Sequence, residues 1–106
     1  MASNKKAEFT PNDQHISNMA KAMSHPGRIA IMRIVKQYPK ITTGEIVEIL
    51  PLAQATVSHH LKELQTAGLI TMTADGKRSL FEINRKNWDS YTTSFNQLLE
   101  QINNLQ

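Results

Sequence analysis

The chain has 106 residues, enough for one domain or half of a two-chain unit and too few for most multi-step enzymes. Hydrophobic residues make up 40% and charged residues 20%, an ordinary globular balance that excludes disorder along the whole length. There is no cysteine, which excludes disulfides, thiolate metal sites, iron–sulfur clusters and cysteine nucleophiles.

The longest apolar run is the four residues Ile29 to Met32, so no membrane span is expected. The polar N-terminus lacks the apolar segment of a secretory signal, and the expected location is the cytoplasm. A net charge of +3 and a pI near 9.4 lean towards nucleic acid, although where the charges sit matters more than their sum.

Residues 1–11 are polar, end at Pro11 and read as a flexible tail; residues 12–106 read as one domain. Helix 1 is predicted to start near Asn12 or Asp13, either of which caps well. Ile16, Met19, Ala20 and Met23 then form an apolar stripe. Pro26 ends helix 1 and suits the first turn of helix 2, where its fixed φ is helical and its missing N–H is not needed. Helix 2 runs to about Gln37, stopped by Pro39. Ile29, Met32 and Val35 or Lys36 share one face, thickened by Ile31, Ile34 and Tyr38, which predicts a mostly buried helix.

Thr42-Thr43-Gly44-Glu45 fits a capping box, so a short helix 3 is predicted over Thr43 to Leu50, closed by Pro51. A tight turn leads to helix 4, from about Ala53 to Ala67. Its apolar stripe is Val57, Leu61 and Leu64, and Gly68 is placed to stop it in a left-handed conformation. Two short strands follow, Leu69–Thr73 and Ser79–Ile83, joined by the hairpin signal Asp75-Gly76. From about Asn84 the chain is predicted helical again. There Trp88, Tyr91, Phe95, Leu98, Ile102 and Leu105 recur at spacings of three and four, an a/d seam.

The expected fold is therefore mainly α with a small β-hairpin, an α+β arrangement in the order ααα-α-ββ-α. Two helices joined by a tight turn and followed by a hairpin make a winged helix–turn–helix.

Leu52-Ala-Gln-Ala-Thr-Val-Ser-His-His-Leu-Lys-Glu-Leu-Gln-Thr-Ala-Gly-Leu-Ile70 resembles the recognition-helix signature of the ArsR/SmtB family of bacterial transcriptional repressors. Ser24-His-Pro-Gly-Arg-Ile-Ala-Ile-Met32 resembles that family's start of helix 2, and Asp75-Gly-Lys-Arg-Ser-Leu-Phe-Glu-Ile83 its wing. The resemblance covers about residues 14 to 100. It implies a homodimer held by the first and last helices, two recognition helices on successive major grooves, and repression by occluding a promoter operator. Ala53 departs from the pattern, because a capping Ser or Thr is usual there.

In a helix–turn–helix the start of the second helix meets base edges. Here that face offers Gln54, Ala55, Thr56, Ser58 and His59, with Lys62 a turn further on for a phosphate. Gln can pair with adenine, Ser and Thr donate or accept, and Ala touches a thymine methyl. At the wing, Lys77 and Arg78 suit the backbone or a narrow minor groove. Arg28 is expected either to meet a phosphate or to form a structural ion pair. Lys5 and Lys6 belong to the solvated tail.

The expected partners are double-stranded DNA and a second copy of the chain, with no membrane. Ile16, Met19, Met23, Trp88, Tyr91, Phe95, Leu98 and Ile102 are the expected dimer interface, since so wide a stripe does not stay exposed. A small organic effector in that interface is the sharper alternative; another is a winged helix that holds a protein instead of DNA.

No metal site and no cofactor is expected. The family's helix 3 cysteine positions hold Val47 and Ile49, and the last helix offers only Asp89 and Glu100, poor zinc ligands alone. His15 has no visible partner beyond these acids. His25 reads as a turn or cap residue, and His60 packs or faces solvent. Adjacent Ser58 and His59 diverge by about 100° on a helix and make no nucleophile–base pair, so no enzyme activity is expected.

Overall fold

The computed structural model describes residues 8–104. Most of the expected tail, with Lys5 and Lys6, and Leu105 of the seam lie outside them. The elements are α1 (Pro11–Ala22), α2 (Pro26–Gln37), β1 (Ile41–Thr42), α3 (Thr43–Ile49), α4 (Gln54–Thr66), β2 (Ile70–Asp75), β3 (Arg78–Ile83) and α5 (Arg85–Asn104).

α1 begins earlier than predicted. Thr10 is the cap, its hydroxyl accepting from the Asp13 backbone N–H at 3.0 Å, and Pro11 takes the first helical position. A proline there loses nothing, because the N–H it lacks would have no partner inside the helix. Ile16 and Ala22 are the buried residues of α1, while Ala20 is exposed. The stripe runs through Ile16, Met19 and Ala22–Met23, leaving Ala20 on its outer edge.

α2 has the predicted limits. Ile31, Met32, Ile34 and Val35 are buried, but Ile29 is 39% and Tyr38 48% exposed. Ile29 lies on the flank of α2 turned towards α5. Tyr38 is the C-cap and has left helical φ and ψ, so the helical period no longer sets its direction. After Pro39, Lys40 adopts a left-handed φ of 64° and turns the chain into β1.

The Thr42/Glu45 capping box is present. The Glu45 carboxylate accepts from the Thr42 backbone N–H at 3.0 Å and hydroxyl at 2.9 Å, and the Thr42 hydroxyl accepts from the Glu45 N–H at 3.2 Å. The Thr42 backbone N–H, then its hydroxyl, hold the Glu45 carboxyl below the usual range.

The sheet has one strand more than the predicted hairpin. β3 is central, with β2 and β1 antiparallel on either side. Ile41 pairs with Phe81 and Thr42 with Leu80. The core lies between this sheet and α2, α3 and α4, where Ile31, Ile46, Val57, Leu61, Leu64, Leu69 and Ile70 are almost fully enclosed. Each contributes about 1.5–3 kcal/mol relative to exposure.

Candidate nucleic-acid interface

α3, a short turn and α4 set the geometry. Val57, Leu61 and Leu64 are essentially inaccessible, so the opposite side of α4 must face out. That side carries Gln54, Ala55, Thr56, Ser58, His59 and Lys62, all exposed. The six expected contact residues thus stand together along one face of one helix. Ala53 caps α4 without any side-chain hydrogen bond. His59 sits 4.0 Å from the Glu63 carboxylate one turn on.

The wing is the β2–β3 hairpin. Asp75 and Arg78 pair across its end, leaving Gly76-Lys77 as a two-residue turn. Gly76 has a φ of 62°, the left-handed first position that a II′ hairpin turn requires. Arg78 donates to the Asp75 carboxylate at 2.8 Å, both side chains remaining exposed. The tip is therefore less basic than its arginine and lysine suggest, because Asp75 offsets one charge.

Arg28 has no carboxylate partner among the described residues, so it makes no structural ion pair there. It is half-buried, and its Nε donates to His60 Nδ1 at 3.2 Å. One terminal nitrogen reaches the Ala22 and Lys21 carbonyls at the end of α1, at 3.4 and 3.5 Å. Arg28 thus braces α1 and α4 from the start of α2. His25 caps α2, its Nδ1 accepting from the Gly27 N–H at 2.9 Å. Its ring lies 4.5 Å from that of His60, centroid to centroid.

His60 packs inside; only 4% of it is exposed. Burial, then the neighbouring His25, Arg28 and His59, hold its imidazole below the usual histidine range. Its Nε2 is enclosed with no hydrogen-bond partner. A histidine next to a histidine in the recognition helix gave no signal of which one turns inward; only the helical phase set by Val57, Leu61 and Leu64 does.

His15 also has a partner that sequence did not show. It stacks on Tyr91 at 4.1 Å with ring planes 12° apart, and its Nε2 is 3.3 Å from the Ser90 hydroxyl. Among the described residues no three His, Asp or Glu side chains converge as a metal cage would require.

The expected dimer residues divide into two groups. Ile16 and Tyr91 are buried within a single chain, where α1 packs on α5, and the Tyr91 hydroxyl donates to the Ala67 carbonyl at 2.8 Å. Met19, Met23 and Trp88 are partly buried against the same core. Further along α5, Leu98 is half-buried. Phe95 is 39% exposed, Leu99 42% and Ile102 57%; Leu99 was not singled out in the sequence.

A recognition helix with a polar outer face, held on a three-helix core beside a two-stranded wing, defines a winged helix–turn–helix DNA-binding domain of the kind found in transcriptional regulators. Residues 25–72 match the bacterial regulatory protein arsR family. The HTH-type transcriptional regulator YgaV of Escherichia coli strain K12 is 31% identical over 77 residues, covering 73% of this chain and 78% of that protein. The arsenical resistance operon repressor of Staphylococcus xylosus is 27% identical over 90 residues, covering 85% and 82%. An ArsR-like transcriptional regulator from Rhodococcus sp. RHA1 has the same fold, with a TM-score of 0.73 over 85% of this chain and 84% of that one at 14% identity. The homodimeric winged helix–turn–helix domain of a possible ArsR-family regulator from Mycobacterium bovis superposes with a TM-score of 0.66 at 18% identity, covering 83% and 80%. The chain belongs to the arsR family of transcriptional regulators. None of its described helices is long and apolar enough to cross a membrane.

Proposed function

We propose that the protein is a cytoplasmic, homodimeric repressor that occludes a pseudo-palindromic operator in double-stranded DNA. The observation that carries this reading is the outward face of α4, with six exposed residues opposite three fully buried apolar ones. Gln54, Ala55, Thr56, Ser58 and His59 meet base edges in the major groove, and Lys62 a phosphate. Lys77 and Arg78 carry the wing to the flanking backbone or minor groove. Arg28 holds the reading head together from inside.

Phe95, Leu99 and Ile102 supply the reason for a dimer. Three large apolar side chains this exposed on one helix call for a partner surface, and a second α5 supplies one by symmetry. The Mycobacterium bovis neighbour is homodimeric. Two relatives, from Staphylococcus xylosus and Bacillus subtilis, are repressors of arsenical resistance operons, which supports repression over activation. The arsenical itself is not carried over, since this chain has no cysteine and soft metalloids need thiolates.

The test is selection of bound duplexes from a random pool, with and without chelator. The expected result is a two-fold symmetric site with half-sites about 34 Å apart, unchanged by chelator. Gln54→Ala with Ser58→Ala should weaken binding to that site more than binding to unrelated DNA; equal losses on both would remove these residues from base reading. Failure to enrich any sequence would favour a winged helix that holds a protein, or a regulator that needs an effector before it binds DNA.

A further inference from the structure

A second concave site lies away from α4 and the wing tip. It is a cleft of about 340 Å³ between α2, the end of β3 and the start of α5, lined by Met23, Ile29, Met32, Ile83 and Trp88 with Arg33, Lys36 and Arg85 around it. We propose that this cleft binds a small amphipathic organic anion, an aromatic or short aliphatic carboxylate, as the effector of the regulator described above. The proposal rests on that regulator reading for its purpose but not for its site.

Its floor and rim are chemically distinct. The floor is apolar, with two methionines and a tryptophan, side chains that adapt to varied apolar ligands. The rim is cationic from two elements. Arg33 and Lys36 lie three residues apart on α2 and Arg85 opens α5; all three are exposed. Among the described residues, the only carboxylate within ion-pair reach of any of them is Asp89, at 4.0 Å from Arg85.

Two features of this charge are unfavourable without an anion. Like charges three residues apart on a helix repel. The first turn of α5 holds no acidic residue and begins Arg85-Lys86, putting cations where the helix dipole is already positive. A carboxylate at the rim relieves both, while its apolar part covers the exposed side of Ile29. The volume is at the small end for ligand sites, about 300–1,000 Å³, so a compact acid fits and a dinucleotide does not. The cleft also joins α2, which packs on the recognition helix, to α5, the proposed dimer helix, so a ligand in it acts on the spacing of the two reading heads.

Trp88 is the single tryptophan of the chain, so its fluorescence reports this cleft directly. Full-length protein is titrated with 4-phenylbutyrate and with its uncharged amide, in the absence of DNA. The expected result is a saturable change in Trp88 emission with the acid and binding roughly tenfold to a hundredfold weaker for the amide, the worth of charged hydrogen bonds. Arg33→Gln with Lys36→Gln should weaken the acid by a similar factor while Lys77→Ala leaves it unchanged. Equal binding of acid and amide, or no saturable change, overturns the proposal. So does emission that follows protein concentration instead of the acid, since a second copy would then fill the cleft. Loss of DNA affinity in the double variant without acid would overturn it too, by assigning these cations to phosphates. Because the titration contains no DNA, its outcome is independent of the duplex selection, and a failed selection would leave this result standing.

Discussion

Arg28 Nε and His60 Nδ1 lie 3.2 Å apart, and that contact fixes the proton of a buried histidine. Arginine only donates, so Nδ1 must accept and the His60 proton must sit on Nε2. Protonation would place a second N–H against the guanidinium, in a site where Nε2 already has no acceptor. The groups facing the ring are Arg28 and His25 from the α2 side and His59 on α4 itself, and the fixed positive charge of Arg28 opposes a positive His60.

Stability should therefore depend on pH near neutrality. The folded-state pKa of His60 lies below its unfolded value of about 6.5. Above that value both states are neutral. As pH falls through it, the unfolded chain takes up a proton more readily than the folded chain, and stability declines by at most about 1.4 kcal/mol per pH unit until the lower folded pKa is passed. Urea midpoints at pH 7.5 and 5.5 check this. His60→Asn keeps an acceptor for Arg28 and removes the titration; a variant that retained the native slope would contradict the assignment.

Gly68 should tolerate no side chain. Its φ is 79°, and an added Cβ would stand 2.7 Å from Asn87 Nδ2, the atom that donates to the Gly68 carbonyl at 2.9 Å. Gly68→Ala should cost about 1–3 kcal/mol through strain at that φ and displacement of Asn87. An unchanged denaturation midpoint would show that the junction of α4 and β2 relaxes freely.

Tyr91 links the proposed dimer helix to the end of the recognition helix through its hydroxyl and Ala67. Tyr91→Phe keeps the ring and its stacking on His15 and removes only that bond, so the expected loss is about 0.5–1.5 kcal/mol. Denaturant unfolding measures it, and a smaller effect would mean water replaces the hydroxyl.

At the wing, Asp75 holds Arg78. Asp75→Asn should free the guanidinium and raise affinity for unrelated duplexes, with a salt dependence steeper by about one unit; Lys77→Ala should flatten it by about the same amount, and Arg78→Ala by less, because Asp75 already offsets that charge. Identical salt slopes in all three variants would take the hairpin out of the DNA contact.

Much of this molecule was legible locally. Pro26 between two helices, the Thr42/Glu45 box, Gly68 after α4, a hairpin turn at Gly76 (one residue later than the Asp75-Gly76 signal placed it) and the inward stripe Val57, Leu61, Leu64 all act within a few residues. Interactions of that range are written in consecutive residue types, so order and class of elements follow from them, as does the outward face of α4. The exception proves instructive at α1, where Thr10 with Pro11 outcompeted two other good caps.

What only the tertiary structure decided involves residues far apart in the chain. β1 is two residues long and has no period of its own; it exists because Ile41 finds Phe81. Arg28 and His60 are 32 residues apart, and Tyr91 and Ala67 are 24 apart. The cleft gathers α2, β3 and α5, and only the fold sets Arg33, Lys36 and Arg85 around one apolar floor. Local chemistry chooses each element's backbone. Which side chains end up buried, paired or left facing a partner depends on how the elements pack, and no short window of sequence contains that geometry.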